Sequence, residues 1–358
     1  MTSLKATCSN GINLETSKGC VAGFAFQSLK MGLKAFFTTY QEMKYSLHLF
    51  EKKHPDEKKD FNTPLSFFEL SAETILHFHH FTELILKDLL RSEHVLLADE
   101  GSKKTVVLKK LLMGKPLNAD EVSGIRSIEF SEALDRIVDL VNADEITDAA
   151  TLEFINDSKD VLKKLNTLRN RIWHRGTFVL RYDALDEFVC QYFLPVLNRI
   201  LSLGRYSGQE SLWKYRDLEC GFDPLSFLEN ESDSYSIGKF ALAKELGRAA
   251  YCNPIRRDSG WTRIFNGEIS GRAVTAANSE GHNVSKVTTC PVCGIRSLVV
   301  YDDVEVEGED FETGTYERAW RYTWQVKCHC CSFEINNHLD NGSAYGISIP
   351  DYWQAEEM

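Results

Sequence analysis

Residues 66–91 read SFFELSAETILHFHHFTELILKDLLR and carry the clearest structural signal of this chain, the pattern of a long amphipathic helix. Apolar and small side chains recur at alternating steps of three and four residues, which places them on one stripe of the helix. That stripe consists of Phe68, Ser71, Ile75, Phe78, Thr82, Ile85 and Leu89. Such a stripe is normally buried against other helices, so the segment predicts a helical bundle.

The same spacing recurs on both sides of this segment. Upstream it runs from Phe26 to Phe50, and we expect that helix to end at the charged run Glu51 to Asp60. The upstream stripe is typical of a buried helix, although a dimer seam has the same spacing. Downstream, the pattern predicts helices at residues 128–142, 158–175 and 183–203, the last of them kinked by Pro195.

Three histidines, His77, His79 and His80, lie close together in the helix of residues 66–91. Clustered histidines suggest a metal site, but successive residues of an α-helix differ in direction by about 100°. The three rings therefore point different ways, and we favour structural or solvent-facing roles for them.

The composition is that of an ordinary folded protein of 358 residues, 43% hydrophobic and 26% charged, and this length allows two or three domains. A net charge of -11 argues against a protein that binds nucleic acid over its whole surface, so any such contact must be local. The sequence shows no basic leader before an apolar run and no apolar stretch of about eighteen residues. We therefore expect no membrane association and a cytoplasmic location.

Two cysteine pairs near the C-terminus predict a metal site, Cys290 with Cys293 in CPVC and Cys328 with Cys331 in CHCC. Each pair can form a knuckle that offers two thiolates to one tetrahedral ion. Four thiolate ligands leave no open position, which is typical of structural Zn²⁺ rather than catalytic zinc. The other six cysteines are scattered and form no disulfide framework. Cys330 offers a second register for the second pair, and we prefer Cys331.

Alternating residues around both pairs predict strands, so we expect a small β zinc ribbon whose long hairpin carries the acidic insertion Asp302 to Gly314. The strands flanking that insertion are predicted at residues 297–301 and 318–326. Three aromatic residues of the second strand are either the core of this module or a surface on which nucleobases stack. They are Trp320, Tyr322 and Trp324.

The predicted fold class is mainly α, a helical bundle followed by a small β zinc-ribbon domain. We divide the chain into an N-terminal helical extension (1–62), the bundle (63–204), a middle segment with one helix at 237–250 (205–285), and the ribbon (286–345).

The predicted fourth helix ends in a cluster of polar residues, RNRIWHR at residues 169–175, followed by Gly176. This segment resembles the motif of the HEPN superfamily, whose ribonuclease members carry an Arg-x4-6-His motif near the end of a bundle helix, often with a polar residue after the arginine. The matching positions are Arg169, Asn170 and His174. The resemblance covers roughly residues 64–204, and Glu83 and Lys87 stand where family members often carry polar residues.

The resemblance implies a metal-independent endoribonuclease in which Arg169, Asn170 and His174 are catalytic. It implies a toxin or antiviral defence effector, with an antitoxin or an activator protein as a further partner. It also implies a homodimer, because the family's active site is typically built at a dimer interface from both chains' motifs.

The residue types fit RNA cleavage in which a 2'-hydroxyl attacks the adjacent phosphate. His174 can act as general base or acid because imidazole titrates near neutral pH. Arg169 can stabilise the pentacovalent phosphate by a bidentate contact, and Asn170 can orient the imidazole ring or bind the phosphate. The neighbouring cations Lys163, Arg171 and Arg175 form a local positive patch for RNA binding.

Helix geometry adds an argument for the dimer. Residues five apart on a regular α-helix diverge by about 140°, so one chain cannot easily aim Arg169 and His174 at the same phosphate. Two copies related by a two-fold axis can do so, and this predicts a composite site.

Two alternatives stay open. The chain is either this enzyme or a catalytically inactive HEPN scaffold that binds nucleic acid, nucleotide or a protein, in which case Arg169 is a buried residue paired with Glu83. A third interpretation is a zinc-ribbon adaptor with an unrelated bundle.

Overall fold

The protein is mainly helical and carries a small antiparallel sheet near its C-terminus. The computed structural model describes residues 20–47, 63–101, 104–122, 124–176, 178–256, 260–281, 283–308 and 315–358. Within these ranges, no helix combines the length and the apolar character that crossing a bilayer requires.

In chain order, the helices are α1 (Cys20–Met43), α2 (Leu65–Glu93), α3 (Thr105–Leu112), α4 (Ala119–Val122), α5 (Phe130–Asn142), α6 (Ala149–Leu152), α7 (Phe154–Asp157), α8 (Lys159–Asn170), α9 (Tyr182–Glu187), α10 (Leu194–Leu201), α11 (Glu210–Trp213), α12 (Pro224–Asn230), α13 (Ile237–Cys252) and α14 (Thr262–Ser279). Two π-helical turns continue α8 and α9, at Arg171–Arg175 and Phe188–Phe193. The strands are β1 (Val284–Thr288), β2 (Leu298–Glu307), β3 (Arg318–Cys328), β4 (Glu334–Asn336) and β5 (Ala355–Glu357).

The chain forms two compact units. The first consists of the described parts of Met1–Gly32, Ala72–Phe178 and Val196–Trp213, and the second of those of Leu33–Ser71, Val179–Pro195 and Lys214–Met358. Helices α1 and α2 each contribute residues to both units. The sequence-based division at residues 62, 204 and 285 stays a prediction.

Close contact between α1 and α2 builds the core of the first unit. A Cβ atom at Gly32 would lie 2.7 Å from the ring of Phe78, so only glycine fits at this crossing. The rings of Phe26 and Phe81 lie 6.1 Å apart, and both side chains are fully buried. Phe78 belongs to the predicted stripe of α2, whereas Phe81 lies beside that stripe. Phe68 alone of the stripe is substantially exposed.

A fully buried ion pair lies in the core of the second unit. The Nζ atom of Lys244 on α13 donates to Oδ1 of Asp186 on α9 at 2.6 Å, and neither side chain is exposed to solvent. The ammonium group also lies 3.9 Å from the centre of the Tyr182 ring and 4.7 Å from that of Phe36. Burial raises the pKa of Asp186 to about 6 and lowers that of Lys244, because water no longer stabilises either charge.

The sheet of the second unit has the order β1-β2-β3-β4, with β5 paired to β3, and every pair is antiparallel. Val300 faces Val326 across β2 and β3, and Leu298 faces Cys328. The first three residues of β2 are buried and its last five are exposed. Strand β2 runs on to Glu307, which pairs with Arg318 of β3, so the prediction that this strand ends at residue 301, before the acidic insertion, was wrong. Residues 309–314 of that insertion lie outside the described ranges.

The helical elements follow the sequence pattern where the pattern is strong. The predicted helix of residues 66–91 is confirmed as α2, and the one at 237–250 as α13. Helix α1 ends at Met43, earlier than predicted, and Phe50 with the charged run Glu51 to Asp60 lies outside the described residues. Helix α14 was not predicted, because its eighteen residues bury only Ala273 and Ala277 and show no apolar stripe.

The predicted helix at residues 183–203 is irregular near Pro195, as expected. The irregularity is a π-helical turn at Phe188–Phe193, just before the proline. Pro195 has no amide hydrogen to donate and its ring crowds the preceding turn of the helix. The amide of Leu194 instead reaches back to the carbonyl of Val189. Tyr192, within this turn, is 47% exposed.

Candidate functional sites

The four predicted zinc ligands come together in the second unit, in a group that we call the thiolate cluster: Cys290, Cys293, Cys328 and Cys331. All four are buried, and their sulfur atoms lie within 4.8 Å of one another. The Sγ atoms of Cys290 and Cys331 are 3.5 Å apart, and those of Cys293 and Cys328 are 3.7 Å apart. Tetrahedral zinc with Zn–S bonds of about 2.3 Å places its sulfurs about 3.8 Å apart, so these thiols could hold a metal ion of that size.

The two knuckles of the thiolate cluster share one backbone pattern. The amide of Val292 donates to Sγ of Cys290 at 3.4 Å, and the amide of Cys330 donates to Sγ of Cys328 at 3.3 Å. A donor directed at sulfur favours the thiolate form, which is the form that binds metals. Because Cys330 contributes its amide and is only half-buried, Cys331 fits the role of ligand better, in agreement with the preferred register.

A buried ion pair on α13 holds the second knuckle. Arg248 donates from Nη1 to Oγ of Ser332 at 3.1 Å and from Nη2 to the Ser332 carbonyl. Glu245 accepts from Nη2 of Arg248 and from the amide of Glu334, both at 2.7 Å. These bonds fix Ser332 at a φ of +60°, a left-handed conformation that residues other than glycine rarely adopt. The cysteine geometry is therefore supported by a rigid helix.

The four thiols cannot all ionise without a cation. Hydrogen bonding with Cys290 lowers the pKa of Cys293, and lowers that of Cys328 to about 7. Hydrogen bonding with Cys290 raises the pKa of Cys331, and burial raises the pKa of Cys290 itself. Four negative charges this close repel one another, and a bound dication would remove that repulsion.

The aromatic residues of β3 do not decide between their two predicted roles. Trp320, Tyr322 and Trp324 are all half-buried, and the ring of Trp324 lies 6.3 Å from that of Tyr301 on the neighbouring strand. A role in stacking nucleobases stays a prediction.

The second candidate site lies in the first unit at residues 169–175, which we call the Arg-Asn-His turn. Helix α8 ends at Asn170, and residues Arg171–Arg175 form a π-helical turn. Gly176 ends the turn with a φ of +61°, and its amide donates to the carbonyl of Ile172 at 3.0 Å. In a π-helix the backbone bond joins residues five apart, so such residues come onto one face. The prediction that Arg169 and His174 diverge by about 140° assumed a regular α-helix, and it was therefore wrong for this segment.

The Arg-Asn-His turn joins all three predicted catalytic side chains. Nη1 of Arg169 donates to Oδ1 of Asn170 at 2.8 Å and lies 3.2 Å from Nε2 of His174. A guanidinium group has donors only, so Nε2 of His174 is the acceptor in this contact. Arg169 and Asn170 are half-buried, whereas His174 is exposed. The ring is thus positioned as a proton acceptor at the surface, beside a cation.

Hydrogen bonds inside the first unit hold α8, the helix that leads into this turn. Nε2 of the buried His79 donates to Oδ1 of Asn166 at 2.9 Å, and Nδ2 of Asn166 donates to Oγ of Ser131 at 3.0 Å. His80 has a separate partner, Oγ of Ser28 at 2.7 Å. His79 and His80 therefore have separate partners, His79 in the interior and His80 at the surface.

The alternative pairing of Arg169 with Glu83 is not what the structure shows. Among the described residues, the ion pair of Glu83 is with Lys87, at 2.6 Å, and Oε2 of Glu83 also lies 3.8 Å from Nδ1 of the His79 ring. The Glu83 and Lys87 side chains of α2 thus bind each other, and Arg169 is left to contact His174.

The three predicted RNA-binding residues, Lys163, Arg171 and Arg175, are all exposed. The guanidinium carbon of Arg171 lies 3.4 Å from the centre of the Phe178 ring, which fixes its orientation. Sequence reasoning gave no role to Phe178 or to Trp173, which is 65% exposed in the middle of the turn. The signal that could have identified them is an aromatic residue within a run of basic residues.

We compared the chain with models of protein families, with curated proteins and with solved structures, and found no match in any of the three comparisons. The two sites therefore have to be interpreted from their own chemistry.

Proposed function

We propose that this protein is a metal-independent endoribonuclease of the HEPN type, with its active site at the Arg-Asn-His turn. The observation that carries the proposal is the 3.2 Å contact between Arg169 and His174 within one chain, with Asn170 bound to the same guanidinium nitrogen. A phosphate that reached this turn would meet a cation and a proton acceptor together.

The reaction follows from these groups. Arg169 turns from His174 to the phosphate, which frees the single lone pair of Nε2. His174 then accepts the proton of the 2'-hydroxyl at Nε2 as the hydroxyl oxygen attacks the adjacent phosphorus. Arg169 stabilises the additional negative charge on the phosphate oxygens, and Asn170 holds the guanidinium in place. The bond to the 5'-oxygen then breaks, that oxygen takes up a proton from water, and His174 returns its own proton to the solvent. The products are a 2',3'-cyclic phosphate and a free 5'-hydroxyl end.

We assign the thiolate cluster to one structural Zn²⁺ ion. All four ligands are buried sulfurs, which leaves no position for water or substrate, so the metal would stabilise the fold and take no part in cleavage. The ribbon is free to contribute to recognition of a substrate or trigger. By the resemblance to HEPN proteins, the enzyme would act as a toxin or antiviral effector and be controlled by an antitoxin or activator protein.

The test is cleavage of total RNA by the purified protein in EDTA, with zinc content measured in the same samples. We expect products that end in a 2',3'-cyclic phosphate. His174→Ala should lower the rate by a factor of roughly 10² to 10⁴, because a positioned acid–base group typically contributes that much. His338→Ala, which removes an exposed histidine elsewhere, serves as the matched control. A His174→Ala protein that cleaves at the wild-type rate would end the nuclease proposal, and absence of cleavage by the wild type would favour the inactive scaffold.

A further inference from the structure

Trp173 is a large apolar side chain with no evident structural reason to be exposed. It lies next to His174 on the Arg-Asn-His turn and is 65% exposed. A single exposed aromatic residue is not unusual by itself. The charged residues that flank Trp173 in the sequence are what distinguish it.

Those charges are all positive. The sequence contains no Asp or Glu from residue 161 to residue 182, although the chain as a whole has a net charge of -11. Five cations lie in the part of this segment that belongs to the first unit: Lys163, Lys164, Arg169, Arg171 and Arg175. Within the described ranges no carboxylate forms an ion pair with any of them. Arg171 is oriented by Phe178 and not by an acid.

An exposed indole among unpaired cations complements a ligand that combines phosphates with flat aromatic faces. Single-stranded nucleic acid has both, because the face of an unpaired base is free to stack on an aromatic side chain. In a duplex the neighbouring base pairs cover that face. The surface therefore favours an unpaired strand over a double-stranded one.

We propose that Trp173 is the stacking platform for an unpaired base at the Arg-Asn-His turn, so that the substrate is single-stranded RNA. This inference rests on the proposed ribonuclease function. Stacking on Trp173 anchors one nucleotide, Arg171 and Arg175 bind the flanking phosphates, and the adjacent phosphate is held at Arg169 and His174. The indole reads no base edge, so the platform selects strandedness and not sequence.

The test measures binding separately from cleavage. The ligand is a labelled RNA strand of about 12 nucleotides, a typical site size for such surfaces, with every 2'-hydroxyl methylated to prevent cleavage. Fluorescence anisotropy gives its Kd for the 358-residue chain. We expect Trp173→Ala to weaken binding roughly ten- to a hundred-fold, and Trp173→Phe, which keeps an aromatic face, to stay within about threefold of the wild type. Binding of the same sequence as a duplex should not depend on Trp173.

Trp261→Ala is the matched control, because Trp261 is 90% exposed at the start of α14 in the second unit. The inference fails if Trp173→Ala binds the single strand as tightly as the wild type, or if Trp261→Ala loses as much affinity. It also fails if polyglutamate binds with the same dependence on Trp173, since the surface would then serve an acidic protein.

Cleavage of the unmodified strand distinguishes this inference from the proposed function. Cleavage that does not depend on Trp173 would overturn the platform and leave the nuclease standing. Trp173-dependent binding of the single strand without any cleavage would overturn the nuclease and leave the platform standing.

Discussion

His79 shows how a titratable residue is held neutral inside the first unit. Its side chain is 4% exposed, its ring stacks on Phe130 with 4.5 Å between centres, and Nε2 donates to Asn166. Burial lowers the pKa of His79 from 6.5 to about 4, because the charged ring would lose its hydration. The bond to Asn166 and the charge of Glu83 act in the opposite direction and are outweighed.

This shift predicts a loss of stability in mild acid. Between pH 6.5 and pH 4 the unfolded chain binds a proton at His79 and the folded chain does not, so the free energy of unfolding falls as the pH falls. The contribution of the neutral His79 ring to the free energy of unfolding is complete above pH 6.5, and about 3 kcal/mol of that contribution is lost by pH 4. Urea unfolding at a series of pH values should show a shallower decline for His79→Asn than for the wild type.

His174→Ala, which removes an exposed histidine of the same unit, is the control for that series. If His79→Asn and the wild type lost stability in parallel between pH 6.5 and pH 4, His79 would not be the neutral residue that the structure shows.

At the scale of single elements, the sequence predicts those helices and ligand pairs that show a recognisable spacing of residues. The stripe of α2 could be predicted because Ile75, Phe78 and Ile85 are spaced for one helical face, and all three are fully buried. The cysteine knuckles could be predicted because two short spacings fix two ligands each. Helix α14 could not, since a helix that buries little has no stripe to detect.

The π-helical turn at Arg171–Arg175 marks the limit of that approach for the candidate site. Residue types and spacing singled out Arg169 and His174, but their contact depends on a backbone that departs from the regular helix. The π turn before Leu194 has a visible cause in Pro195, whereas residues 171–175 contain no proline and no such cause. Gly176 ends the turn and does not explain its width.

The thiolate cluster yields a prediction at the same scale. The protein should contain one zinc ion per chain by elemental analysis. Cys331→Ser should lose that ion, because it removes one of four converging sulfurs. Cys330→Ser should retain it, because the sulfur of Cys330 is not one of the four that converge, and serine keeps the backbone amide that donates a hydrogen bond to Sγ of Cys328.

The pair of variants also tests the register of the second knuckle. Loss of zinc in Cys330→Ser with retention in Cys331→Ser would show that the ligands are those of the alternative register. A wild-type protein without metal would remove the zinc assignment altogether.

At the scale of the whole molecule, the contact between Arg169 and His174 changes the argument for a dimer. The predicted homodimer drew support from two sources, the resemblance to HEPN proteins and the divergence of these two side chains on a regular helix. The second source no longer applies, since Nη1 of Arg169 and Nε2 of His174 lie 3.2 Å apart in one chain. A dimer stays a prediction that rests on the resemblance, and the catalytic pair does not require one.

A mixing experiment separates a site built within one chain from a composite site. Arg169→Ala and His174→Ala should each be inactive, and a mixture of the two, unfolded and refolded together so that chains can exchange, should stay inactive. The reason is that every chain in the mixture lacks one member of a pair that acts only within its own turn. RNA cleavage by the mixture is compared with the sum of the separate proteins, and light scattering reports whether dimers formed. Restored cleavage in a dimeric mixture would show that Arg169 of one chain serves His174 of the other, as the composite site requires.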